Sequence, residues 1–537
     1  MKLVLLVAVL LIGGRAAAAQ QEAAPAADAP GIVRKTLRGT LAQVTLDDGD
    51  EHWTLLSESD GSLQPFARGV RPPKKDKDGN DITAGSVVGL SCPTDSTGSC
   101  TYVSSSDTTL LAGGATPSAA TNKVSQRNLI INIDYSACGS NYSATHNESS
   151  LRTLYLGAAG DGTGGHSLRF EQCSYGGLTF NATAFTVVTV QPNCSSLILV
   201  NCSYSTISNG ADAAAKAILG STVFATFTHY TYILPPGFEG ICGWSGLALL
   251  PGKQTWLQTS SYGVSRWATV MQESLHNYGP WHSWLGTAEY NDYSTSMGRG
   301  NACPNAAELS YMKWASPVTG GSALNASLLP LGQAVTFNLP ATYLTGTGNF
   351  LRVVPDWIPN YAYNVYIAVR ANKVGDSSLG NGYANRINMH YLNATLDNQL
   401  WNGNTNLRYT DRKITVLNTA QVNNTVDLPA YSMVVYGGAW VGTDIMRMYI
   451  CRYSASAAEC PALSVLEARP SPPPSPSLPP SPSPPSPSPP SPSPPPRNPP
   501  APPSPSPPSP PPPSPPKTTG GGSTKNKGRR MLRAGQQ

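Results

Sequence analysis

Long apolar runs are scarce in this 537-residue chain. Beyond its first dozen residues no segment offers about 20 uninterrupted apolar side chains, so none reads as a helix crossing a bilayer. Cys-x-x-Cys pairs are absent among the ten cysteines, which argues against a cysteine zinc site. Net charge is small. It is formally +5, yet the last 21 residues alone hold six Lys and Arg and no acid, which leaves the rest near neutral and implies no nucleic-acid partner. Histidine is sparse too, at seven residues, and two of the seven fall within Met271 to Trp284, MQESLHNYGPWHSW.

In that stretch Gln272, Glu273, His276, Gly279 and His282 stand at the spacing H-E-x-x-H-x-x-G-x-x-H of a metzincin metal site, with glutamine in the first histidine's place. Residues 272 and 276 are four apart, so a helix puts them on one face, one turn above the other, where both can hold one divalent metal. Glu273, about 100° round that helix, is placed to act as general base on a water that the metal activates. Gly279 and Pro280 end the helix, and the returning chain brings His282 in as third ligand. Upstream, Tyr262 to Met271 carries Val264, Trp267, Ala268 and Met271 at helical spacing for a core-facing side. Met297, after the polar loop YNDYSTSMG, suits the methionine turn beneath such a site. Tyr290 and Tyr293 are candidate oxyanion donors, although aromatics here more often pack. His229, in the alternating run TFTHYTY, and His166, in a glycine-rich loop, are weaker candidates for the missing ligand.

The run Cys242 to Ala248 (CGWSGLA), then QESLHNYGPWHS, the Met297 turn and Asn301 to Trp314 (NACPNAAELSYMKW) together resemble the gametolysin (autolysin) family of green-algal secreted metallopeptidases. The likeness covers about Ser125 to Cys460 and includes the family's glutamine variant. It implies a metal-dependent endopeptidase acting on extracellular-matrix or cell-wall glycoproteins. Gln272 leaves the metal open: zinc is expected, but a neutral carboxamide oxygen binds zinc less well than imidazole, and copper stands above zinc in the affinity series.

In chain order, residues 1–19 read as a cleaved signal peptide, with Lys2, an apolar core from Leu3 to Ile12 and a run of alanines. Residues 20–124 read as a small β-rich propeptide, with strands expected at Ile32 to Leu37, Gly39 to Leu46, His52 to Leu56, Ser86 to Cys92 and Cys100 to Ser104. Cys92 or Cys100 as a thiolate could hold the metal latent, but eight residues in a turn-rich context favour a disulfide between them. The catalytic domain, 125–317, is expected to be an α+β zincin or metzincin-like fold. Its strands are placed at Asn128 to Tyr135, Ala184 to Val190, Ser196 to Val200, Ser221 to Tyr232 and Ala248 to Leu250, with Gly246 to Leu250 as the edge that receives substrate.

Residues 318–469 read as an antiparallel β-sandwich-like domain, tied at its end by a Cys451–Cys460 pair and carrying no catalytic constellation. A Pro/Ser-rich segment, 470–516, cannot form a core and should run as polyproline II, and 517–537 form a basic disordered tail. Eight Asn-x-Ser/Thr sequons and an even cysteine count suit a secreted glycoprotein of the extracellular matrix or cell wall. The competing reading is a non-catalytic structural or binding wall glycoprotein with a degenerate protease fold. Glu273 argues against it, because such a protein has no need of a general base.

Overall fold

The computed structural model describes residues 33–46, 51–114, 123–401 and 412–468, all within one compact unit. The expected signal peptide, Pro/Ser-rich segment and basic tail lie outside the described residues.

The strand Asn128–Ile133 is buried at every position, as a strand covered on both faces should be. It pairs in parallel with Thr186–Val190 on one side and His229–Leu234 on the other. Gln254–Gln258 extends the sheet in parallel, and Gly246–Leu250 follows antiparallel. Alternation then divides the core. Ile130, Ile233 and Leu257 pack under the helices Glu148–Leu156, Gly165–Ser174 and Trp267–His276. Leu129, Ile131, Tyr232 and Trp256 face the helix Tyr204–Leu219 through Ile207, Ala211 and Ala215.

Several expected strands resolve differently. Ser196–Leu199 is a helical turn, in which only Ile198 is buried, and Ser221–Phe224 is a second short helix before the strand at His229–Leu234. Short apolar runs carry no period that separates the two states. Ala184 and Phe185 precede the strand Thr186–Val190, and of Cys100 to Ser104 only Cys100 forms isolated bridges, the neighbouring strand being Thr108–Ala112. The site helix starts at Trp267 rather than near Tyr262, because a Cβ on Gly263 would lie 2.1 Å from the Gln258 carbonyl oxygen and the chain there turns tightly.

The N-terminal part is β-rich, and its two expected first strands are one, Arg34–Val44. Gly39 lets this strand cross close to Leu56, whose carbonyl oxygen a Cβ would meet at 2.1 Å. It pairs with His52–Ser57 and Val87–Pro93, and its last residues pair with Gly246–Leu250, so a single sheet of ten strands runs through both parts; Gly246–Leu250, expected as the edge, is instead flanked by Gln254–Gln258 on one side and, at Leu249 and Leu250, by Arg34–Val44 on the other.

Towards the C-terminus a seven-stranded sheet and a four-stranded antiparallel sheet share one core, with Leu351, Ile367 and Met389 from the first and Met433, Met446 and Ile450 from the second. The seven-stranded sheet includes Ser283–Leu285, which lies parallel to Ile414–Gln421. The chain just after His282 is therefore built into this sheet, across the boundary expected at 317/318. Five disulfides join Cys92 to Cys100, Cys138 to Cys194, Cys173 to Cys303, Cys202 to Cys242 and Cys451 to Cys460. Cys92 and Cys100 are buried in the N-terminal core, so neither offers a thiolate to a metal. Among the described residues no helix is long and apolar enough to cross a membrane.

Candidate metal centre

The helix Trp267–His276 buries eight of its ten residues, including Gln272, Glu273 and His276, which is uncommon for a face carrying charge and amide. Asn277, just past its end, donates to the carbonyls of Leu249 (2.8 Å) and Gln254 (3.1 Å), fixing the helix to the hairpin of Gly246–Leu250 and Gln254–Gln258. Gly279 follows at φ 105°, a conformation closed to most residues with a Cβ, and the chain reverses.

The reversal brings the two histidines together. Their Nε2 atoms are 3.1 Å apart and the rings stand at 82°. His276 Nδ1 meets the Pro280 carbonyl at 2.8 Å, and His282 Nδ1 meets Glu289 Oε1 at 2.9 Å. Carbonyl and carboxylate only accept, so both Nδ1 atoms carry the proton and both Nε2 atoms present lone pairs. Burial drives both imidazoles towards the neutral form, with His276 held well below the usual histidine range and His282 pulled down to about 3. Two buried lone pairs at this distance repel unless a donor or cation lies between them. That donor set, together with the Gln272 carboxamide one turn before His276, fits a divalent transition metal. Tyr290 Oη also reaches His282 Nε2, at 2.9 Å.

Met297 is fully buried and its carbonyl accepts from Ser283 N at 2.9 Å, so the methionine loop sits directly against the residue after His282. Thr295 supports it, with its hydroxyl donating at 2.5 Å to Glu308, a buried carboxyl pushed up to about 8 by desolvation. Glu273 is 3% exposed and lies against Gly246 of the strand Gly246–Leu250, where a Cβ would come within 2.6 Å of its Oε1. Gln272, Glu273, His282, Tyr290 and Tyr293 line one cleft of about 540 Å³ with Gly246, Trp244 and Arg266.

The two weaker histidine candidates lie elsewhere. His229 bonds Thr228 and Tyr278, and His166 bonds the Val264 carbonyl. Burial holds them neutral, at about 3 and about 4. Glu289 stands outside the metal-site spacing, which gives it no role. It reaches His282 because Gly286, at φ 60°, closes a hairpin pairing Trp284 with Glu289, and the Leu285-Gly286-Thr287-Ala288 run is the sequence signal for that turn.

One curated relative, autolysin of Chlamydomonas reinhardtii, is 33% identical over 115 residues, which is 20% of this chain and 18% of that protein. This chain thus matches under a fifth of the relative's length. A solved structure of a chaperone–substrate complex covers 48% of this chain and 48% of its own at 11% identity, with a TM-score of 0.18, too low to speak to the fold. The gametolysin peptidase M11 family matches residues 127–430, a span that starts just before the strand Asn128–Ile133 and contains both histidines, Glu289 and Met297. By that match over more than half its length, the chain belongs to the gametolysin M11 peptidase family.

Proposed function

We propose that the protein is a secreted metalloendopeptidase of metzincin-like fold, hydrolysing peptide bonds in extracellular-matrix or cell-wall glycoproteins rich in hydroxyproline. The observation that carries this is the pair of neutral imidazoles with Nε2 atoms 3.1 Å apart, of which His282 lines one cleft with Gln272 and the buried Glu273 while His276 lies buried behind it. His276, His282 and the Gln272 carboxamide oxygen are the proposed ligands, with zinc the expected metal and copper the alternative. When bound, the cation supplies a Lewis acid for the scissile carbonyl and lowers the pKa of water. Glu273 takes the proton of the attacking water and returns it to the leaving amine. Its burial against Gly246 keeps it close to the sheet edge, along which an extended substrate backbone would lie. Glu289 fixes the tautomer and tilt of His282, and the Pro280 carbonyl does the same for His276. Tyr290 and Tyr293 line the same cleft; the Tyr293 hydroxyl is a donor for developing oxyanion charge, and that of Tyr290 becomes one when it gives up its bond to His282 Nε2.

The disulfides suit an oxidising compartment, in keeping with export. The test is cleavage of denatured casein by the purified protein with and without chelator, with elemental analysis of the bound metal. Glu273→Gln should keep the metal and lose cleavage by at least about 100-fold, the scale of a missing general base. Full activity in that variant, or activity indifferent to chelator and metal content, would retire the proposal.

A further inference from the structure

The outer edge of Gly246–Leu250 is already partly occupied. Gln43 pairs with Leu250 and Val44 with Leu249, antiparallel. The next rung is made differently: Thr45 N donates to the Ala248 carbonyl at 3.2 Å, while Ala248 N donates to the Thr45 hydroxyl at 2.9 Å in place of a backbone carbonyl. The regular ladder therefore ends at Ala248. Gln43, Val44 and Thr45 are all at most 6% exposed, and Ala42 and Val44 pack into the same core as Leu247, Leu249 and Trp256. Along this edge, the direction from Leu250 to Ala248 leads to Gly246, the residue in contact with Glu273, and Thr45 itself lines the cleft with Gln272, Glu273 and His282.

We propose that the edge of Gly246–Leu250 is a docking site with two mutually exclusive occupants, this chain's own residues 43–45 and the extended backbone of a polypeptide substrate. This rests on the peptidase function proposed for the cleft. The backbone N–H and C=O groups of Ala248 to Leu250 can pair outward with one strand only, so every substrate that uses this lane must first displace the N-terminal strand. Its weakest rung is the one nearest the glutamate. There a side-chain hydroxyl replaces a carbonyl, so displacement starts at Thr45 and need not unfold the rest of Arg34–Val44, which keeps its partners His52–Ser57 and Val87–Pro93. Within the described residues the N-terminal part thus acts as a competitor in cis through its strand, with no cysteine ligand involved.

Two full-length variants test this. Thr45→Pro removes both the N–H and the hydroxyl at a strand end, where proline is tolerated, and Thr45→Val removes the hydroxyl alone should the proline variant fail to fold. Cleavage of denatured casein should show KM lowered at least fivefold with kcat changed less than twofold, and the synthetic peptide TLAQVTL, residues 40–46, should inhibit the variants competitively. Unchanged KM in both variants, or no effect of the peptide, overturns the inference. If no form of the chain cleaves casein, anisotropy of labelled TLAQVTL decides the matter instead. Binding gained by the variants over the wild-type chain supports the shared edge while retiring the peptidase function, and no gain overturns the shared edge.

Discussion

Glu289 offers the sharpest test of the metal centre. Its carboxylate accepts from His282 Nδ1 at 2.9 Å, and His282 is only 2% exposed while Glu289 is about one-third exposed. The bond is charge-assisted and shielded from water on the histidine side, so it is stronger than an ordinary surface contact. It acts in two ways: it fixes the proton on Nδ1, leaving Nε2 as the lone-pair atom, and it makes the ring a better donor to a cation. Loss of such a partner costs about 10- to 100-fold in metal affinity, equivalent to roughly 1.4 to 2.7 kcal/mol. Glu289→Ala should show that loss in a competition titration against a chromophoric chelator at pH 7.5. Glu289→Gln keeps an accepting oxygen without the charge and should fall between the two. Thermal stability of the metal-free protein should change little, because the lost bond lies at the rim of a hairpin. If Glu289→Ala binds zinc within twofold of wild type, His282 does not contribute to the metal through Nε2, and the tautomer argument fails.

Gln272→His should tighten zinc binding by about 1 to 3 kcal/mol and weaken any preference for copper, read from zinc and copper titrations; affinity unchanged within about twofold would mean that residue 272 does not face the metal. Gly246→Ala should slow cleavage by about tenfold with stability kept within about 1 kcal/mol, because the new methyl would displace the Glu273 carboxyl, and undiminished kcat/KM would show that this contact does not position the base. Asp212, pushed up to about 7 by burial, lies on the helix Tyr204–Leu219 far from the histidines in sequence and accepts from Tyr232. Its folded pKa exceeds the unfolded one, so its contribution to stability is full below about pH 4 and is lost as pH rises through 7. Asp212→Asn should therefore flatten denaturant stability between pH 4 and 7 and leave the variant about 1 to 3 kcal/mol better off at pH 8 relative to pH 4, and a slope equal to wild type would refute the assignment.

Local spacing along the chain was enough to specify part of this protein. Residues 272, 276 and 282, with Gly279 and Pro280, marked out a helix, its end and a returning loop, because helical period and backbone sterics act over a few residues. The buried run Asn128–Ile133 was legible as a strand, since six consecutive buried apolar and amide residues fit little else. The pairings Cys92–Cys100 and Cys451–Cys460 followed from closeness along the chain. Contacts between distant residues settled the rest. Whether Ser196–Leu199 and Ser221–Phe224 became strand or helix was set by what each short run met in the fold, because four residues have no period to read. Glu289 became a partner of His282 only through the hairpin at Gly286 and the docking of Ser283–Leu285 on Ile414–Gln421, some 130 residues away. Pairing of Gln43 and Val44 with Leu250 and Leu249 was equally out of reach of local pattern: an open sheet edge attracts any strand of suitable register, and the chain folds so that the nearest suitable strand is its own.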